Sequence, residues 1–198
     1  MSTAVVYCSQ TGFTERYARW LAESLGTRAV PFSERSSSPV AAAEKLVFLS
    51  WFHAGGLKGA RWLRDLMDKR PERRYVVVGV GAYPMPSEEW PRSETDAAFE
   101  HAFPSGRYPR LARFYCQGGF DFDRLCALDK LAMRAFFRMQ AKEAEADPRI
   151  AFALDAMREG FDGTRREYLQ PVLEHLRSMK YRSRKRPGSL RQLVNSKI

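Results

Sequence analysis

The stretch Ala4-Val5-Val6-Tyr7-Cys8-Ser9-Gln10-Thr11-Gly12-Phe13-Thr14 decides the fold. Residues 4–8 form a short apolar run that does not alternate, the pattern of a strand buried on both faces. Residues 13–25 follow, with Tyr17, Trp20, Leu21 and Leu25 on one helical face and Gly26 as a stop. Between strand and helix lie hydroxyls, one glycine and no lysine. Main-chain N–H groups at such a turn lack helical acceptors, and the helix dipole favours negative charge. The turn therefore suits a phosphate held through neutral donors. The same residues also suit an ordinary N-cap on Ser9 or Thr11, worth about 1 kcal/mol. There is no Gly-x-Gly-x-x-Gly and no Gly-x4-Gly-Lys-Ser/Thr at this turn. A tyrosine-phosphatase loop needs arginine six residues after cysteine, where Cys8 has Thr14.

Working outward, further apolar strands are expected at 28–32, 45–50, 75–81 and 111–116, with a loop at 33–39. Helices are expected at 57–67, from Leu57, Trp62, Leu63, Leu66 and Met67, and at 93–103. Continuous apolar strands alternating with helices indicate an α/β, three-layer sandwich around a five-stranded parallel sheet. A C-terminal helical extension is expected from about residue 122, where Leu125, Leu128, Leu131, Phe136 and Met139 recur over 122–146. Asp147-Pro148 reads as an N-cap with proline at the first helical position. A short helix at 150–159 is closed by Gly160, and 164–179 is a last helix with Pro171 as a kink or restart. The chain is read as one domain over 1–179 with a basic tail at 180–198.

At 198 residues with 44% apolar and 13% aromatic content, wholesale disorder is excluded. The net charge of +10 is uneven. Residues 177–198 hold eight basic side chains and no acidic one, so the body is near +2. No signal peptide is read at the amino end. The longest apolar run, 46–52, is far short of the roughly 20 residues that span a bilayer. Cys8, Cys116 and Cys126 are too few for a disulfide framework and match no zinc spacing. A cytoplasmic setting is expected. The tail suits peripheral contact with an anionic membrane face, at about 1 kcal/mol per basic residue. It suits an acidic redox partner equally, or is simply solvated. No specific nucleic-acid binding is expected, because such a cluster attracts phosphates without reading sequence.

The first loop resembles the flavodoxin phosphate loop, Ser/Thr-x-Thr-Gly-x-Thr, at Ser9, Thr11, Gly12 and Thr14. The third strand's exit, Ser50-Trp51-Phe52-His53-Ala54-Gly55-Gly56-Leu57, resembles the family's second flavin loop, and Gly81-Ala82-Tyr83-Pro84 its third. The resemblance covers about residues 3–125 and extends to flavodoxin-type protoporphyrinogen oxidases. It implies sheet order 2-1-3-4-5 and bound FMN. The implied cofactor-binding residues are Ser9, Gln10, Thr11, Gly12, Phe13 and Thr14 in the first loop, and Trp51, Phe52, His53, Ala54 and Gly55 in the second. Gly81, Ala82 and Tyr83 follow in the third, and Gln117, Gly118 and Gly119 form a rim. Trp51 or His53 would cover one face of the flavin and Tyr83 the other. Many relatives carry tyrosine where His53 stands, so His53 is a departure suited to stacking, donation or proton relay. Residues 84–92, with Trp90, are placed to form a lid.

The resemblance implies an FMN-dependent oxidoreductase passing electrons from a reduced substrate, such as a porphyrinogen, to an acceptor such as a quinone. An electron carrier without its own substrate and a flavin-less binding module are the alternatives. A near-neutral body predicts a milder flavin potential than that of acidic flavodoxins.

Overall fold

The computed structural model describes residues 2–53 and 55–184, with side chains through Met179. Ala54 and most of the basic tail, residues 185–198, lie outside the described residues. The strands are β1 (Thr3–Cys8), β2 (Ala29–Pro31), β3 (Lys45–His53), β4 (Gly56–Leu57), β5 (Arg74–Gly81), β6 (Ala112–Gln117), β7 (Gly119–Phe120) and β8 (Phe161–Asp162). The helices are α1 (Phe13–Ser24), α2 (Ser38–Ala42), α3 (Ala60–Lys69), α4 (Ser93–Ala102), α5 (Ala127–Ala146), α6 (Pro148–Glu159) and α7 (Gln170–Arg184). The main sheet runs β2-β1-β3-β5-β6, all parallel, with β4 folded back antiparallel on the end of β3. Without that short return strand the order is 2-1-3-4-5, the flavodoxin-like arrangement.

Two-residue periodicity sorts each strand onto two faces. Val6, Leu46, Phe48 and Val77 pack with α3 and α4 through Leu63, Met67 and Phe99. Val5, Val47, Leu49, Val76 and Val78 pack with α1 and α7 through Tyr17, Leu21, Val172 and Leu176. Each fully buried Leu, Val or Phe contributes roughly 1.5–3 kcal/mol over exposure. The last helix is thus the second helix of one layer. Lys45 Nζ donates to Leu176 O at 3.3 Å, and Arg74 Nη1 to Met179 O at 2.8 Å. Both cations stand at strand starts, so α7 ends at the amino edge of the sheet.

The helical extension has two parts. Between β7 and β8, which pair with each other, α5 and α6 form a hairpin. Asp147 joins them and caps α6, accepting from Arg149 N at 2.9 Å, as its Asp-Pro pair indicates. The chain then returns to the sheet as α7, which starts one residue before Pro171. Leu128, Leu131, Phe136 and Met139 recur at helical spacing, yet all four are exposed on α5.

Several boundaries differ from expectation, among them that of the last helix, expected over 164–179 and found as a 3-10 turn (Arg166–Leu169) followed by α7 from Gln170. The helix expected from 57 begins at Ala60, because Leu57 pairs with Phe52 and Gly59 is left-handed at φ 76°. The helix expected from 122 begins at Ala127. Asp121 Oδ1 accepts from the backbone N of Asp123 and Arg124, a local turn that competes with helix. The expected loop at 33–39 carries a 3-10 turn (Phe32–Glu34) and the start of α2.

Gly79 lies where β5 crosses the core. A Cβ there would sit 2.6 Å from the Phe52 ring and 2.8 Å from Phe99. Gly79→Ala is expected to lose about 1–3 kcal/mol in a denaturant melt. Gly106→Ala, with open space around it, is expected to match the parent. Burial pushes the Cys116 thiol up to about 12, and its Sγ lies 3.5 Å from Tyr168 O, whereas Cys126 is exposed. Alkylation of the folded protein near pH 8, followed by mass spectrometry, should mark Cys126 long before Cys116.

Candidate functional site

At the carboxyl edge of the sheet, the chain turns from β1 into α1 through Ser9–Gly12. Gly12 is left-handed at φ 98°, and its N–H donates to Ser9 Oγ at 3.2 Å. Ser9 thus holds the turn rather than capping the helix. The first helical bond runs from Arg16 N to Gly12 O at 3.0 Å, and no side chain caps this end. The N–H groups of Phe13, Thr14 and Glu15 precede that bond. The turn borders a cavity of about 530 Å³ lined by Ser9, Gln10, Thr11, Gly12, Glu15 and Arg124, among others.

With Asp129, Arg124 is one of two residues that sequence reasoning missed. Its Nη1 donates to Thr11 O at 3.1 Å and lies 3.4 Å from where a Gly12 Cβ would stand. Its Nε pairs with Asp121 at 3.2 Å. The turn was expected to offer neutral donors only; a guanidinium stands beside them. The separation of 113 residues leaves no spacing signal for it.

In the second loop, the Trp51 and His53 rings meet edge to face, with centroids 4.9 Å apart. Phe52 turns the other way, into the core, with its ring 5.2 Å from Phe99 and 5.8 Å from Tyr115. Gly55 makes the turn at φ 76°, and Gly56 pairs back with His53. Asp129, in the first turn of α5, reaches both loops. One carboxylate oxygen lies 3.1 Å from His53 Nε2, and the other accepts from Gln10 Nε2 at 2.9 Å. The Cys126 thiol also points to Asp129, at 3.3 Å. Hydrogen bonds from Gln10 and then His53 hold the Asp129 carboxyl below the usual carboxylate range. Gln10 Oε1 is buried with no hydrogen-bond partner among the described residues.

The third loop, Gly81-Ala82-Tyr83, lies under the segment 84–92. The Trp90 ring stands perpendicular to Tyr83 with centroids 5.4 Å apart, and the Tyr83 carbonyl accepts from Tyr115 OH. Burial pushes the Tyr83 hydroxyl upward. The exit of the fifth parallel strand is different. Gly118 N donates to Gly81 O at 2.7 Å, and Gly118 O accepts from Gly163 N at 2.8 Å. A Cβ on Gly119 would lie 2.3 Å from Phe161 O and 2.7 Å from the Phe13 ring. These glycines, with Gln117 against Gly163, make room for β8 and Phe13. The structure brings the first two loops together through Asp129, folds 84–92 over Tyr83, and packs Phe13 and 117–119 into the stem of the hairpin.

Between α1, that stem and the hairpin lies a second cavity of about 620 Å³, lined by Phe13, Phe120, Phe122, Phe137, Arg134 and Arg124, among others. Arg124 borders both cavities. The chemistry offered is therefore an anion seat at a helix N-terminus, aromatic edges beside it, and an imidazole–carboxylate pair. Among the described residues, no helix is long and apolar enough to cross a membrane.

No protein-family model and no curated protein matches the sequence. Solved structures similar to this chain are flavodoxin-like proteins. A flavodoxin, WrbA-like protein from Agrobacterium tumefaciens is 18% identical over 58% of this chain and 82% of its own, with a TM-score of 0.37. The rubredoxin oxygen:oxidoreductase from Desulfovibrio gigas is 17% identical over 59% of this chain and 30% of its own, with a TM-score of 0.38. A short-chain flavodoxin associated with a bacterial microcompartment is 20% identical over 59% of this chain and 82% of its own, with a TM-score of 0.35.

Proposed function

We propose that the protein binds FMN and is an oxidoreductase that accepts electrons from a reduced organic substrate and hands them to an acceptor such as a quinone. The observation that carries this reading is the α1 N-terminus without a side-chain cap above Ser9–Gly12, with the Arg124 guanidinium beside it. Together they suit a phosphate monoester dianion. The residues fit FMN in two further respects. Position 12 requires a left-handed backbone, and a Cβ there would stand in contact with Arg124, so glycine suits the cradle. Gln10 Oε1 is a buried acceptor with no donor among the described residues, and a ribityl chain carries hydroxyls. Ser9, Thr11, Thr14 and Arg124 would hold the phosphate. Trp51, His53 and Tyr83 would flank the ring, with Phe52 backing them from the core. When bound, FMN supplies one- and two-electron redox chemistry; the protein's part is to seat it, exclude water and supply or remove protons.

The second cavity favours an enzyme over a pure electron carrier. Its lining adjoins the phosphate loop at Arg124, combines aromatic rings with equal numbers of arginines and carboxylates, and would suit a bulky apolar donor with polar edges, of which a porphyrinogen is one. The basic tail also finds a place in this reading. A run of basic residues in the tail would suit an anionic membrane surface.

Purification without added flavin, followed by an absorbance spectrum and FMN quantification, tests the reading. Yellow protein with about one FMN per chain is expected; colourless protein that takes up no FMN at high concentration defeats it. Arg124→Gln is expected to weaken FMN binding about tenfold, the equivalent of 1.4 kcal/mol, and to flatten its salt dependence. Riboflavin, which lacks the phosphate, should bind parent and variant alike.

A further inference from the structure

We propose that Asp129, brought in by the helical hairpin, is the positioning residue for His53 as the proton-transfer group of the flavin site; the inference rests on the FMN reading above. The contact decides the state of the ring. Asp129 is held as a carboxylate by the bonds from Gln10 and His53, and a carboxylate only accepts. The His53 nitrogen facing it, Nε2, therefore carries the hydrogen. The neutral ring then has its lone pair on Nδ1, to which no described residue bonds. Of the two partners, Asp129 is the sheltered one, its side chain 17% exposed against 40% for His53. The imidazole is the member a donor or water can reach.

The carboxylate is not free to swing. Its second oxygen is taken by Gln10 at 2.9 Å and by the Cys126 thiol at 3.3 Å. The Trp51 ring meets the imidazole edge to face. His53 is thus fixed by its own strand, by Trp51 and by a carboxylate 76 residues away, while the same carboxylate fixes the phosphate loop. A latch between hairpin and sheet would need only one of those contacts. Among the described residues, Asp129 faces the ring and Cys126 faces Asp129, both from the hairpin, and His101 of α4 lies beside the residue paired with His53. The His101 ring lies 3.8 Å from a Cβ built on Gly56, the residue paired with His53.

The step balances with a dihydro organic donor. The donor loses two electrons and two protons in becoming unsaturated. FMN, when bound, would supply the acceptor for both electrons and one of the protons. His53 takes the other proton at Nδ1, becomes an imidazolium paired with the Asp129 carboxylate, and then releases that proton to water.

The test uses the full chain loaded with FMN and measures the flavin midpoint potential by spectroelectrochemistry from about pH 5.5 to 8.5, the span in which histidine titrates. The parent is expected to show a break in potential against pH. The break should be lost in His53→Gln, displaced in Asp129→Asn and restored in Asp129→Glu, each read on protein saturated with FMN. The flavin-free protein supplies a second readout: the His53 ring nitrogens, followed by 15N NMR, should shift in Asp129→Asn. Because His53 is exposed, His53→Gln keeps the test alive should Asp129→Asn fail to fold. Superimposable potential curves for parent and His53→Gln overturn the relay, and unmoved ring nitrogens overturn the positioning contact. If the parent takes up no FMN, the functional reading falls and the relay with it; retained NMR shifts then show that the contact itself is real.

Discussion

The N–H of Gly12 bonded to the Ser9 hydroxyl is the constraint on which the site rests. β1 ends pointing out of the sheet and α1 must double back along it, so the chain has to reverse within four residues. A left-handed residue at position 12 accomplishes this, and glycine adopts φ 98° without a Cβ penalty. By satisfying the Gly12 N–H inside the turn, Ser9 leaves the following N–H groups of the helix pointing outward. A side-chain cap would have spent its oxygen on one of them. The turn is therefore organised for something other than helix stability alone, and everything built around it faces those outward amides.

Two of the groups that face them arrive from the same insertion. Thr11 and Arg124 are 113 residues apart, and Gln10 and Asp129 are 119 apart. Both long-range contacts come from the stretch between β7 and the second turn of α5. The stem β7–β8 leaves the sheet beside Phe13, where glycines at 118 and 119 permit backbone to lie almost in contact with that ring and with Phe161. Close packing at the stem is what aims the start of the hairpin at the phosphate loop. Glycines after a strand are read most naturally as room for a ligand; here the room is taken by protein, and the reward is an arginine and an aspartate placed over the loop.

The layered architecture was legible because it depends on local patterns. Runs such as Tyr75–Val78 are apolar without alternation, and that alone indicates a strand covered on both sides. The face-by-face sorting of Val5 against Val6, or Val47 against Phe48, follows from the pleat. That the first-loop hydroxyls, Trp51, His53 and Tyr83 stand at strand exits was legible for the same reason. Arg124 and Asp129 were not, because neither belongs to a motif and their approach is a tertiary event. Leu128, Leu131 and Met139 show the limit from the other side. Helical spacing says that a helix forms but not what it meets, and here most of the stripe meets solvent. Phe52 was misleading by adjacency: one residue from Trp51 and His53 along a strand, it points to the opposite face.

The hairpin also imposes a direction on the molecule. The loops, the anion seat and the His53–Asp129 pair gather at the carboxyl edge, while α7 runs to the amino edge and is tied there by Lys45 and Arg74. Both are cations at strand starts, bonded to carbonyls partway along α7. The charge that makes the chain basic as a whole is concentrated on residues that follow this anchor. Near the loops, acidic partners such as Asp121 and Asp129 accompany Arg124 and His53. Charge at the carboxyl edge is therefore locally balanced among the described residues.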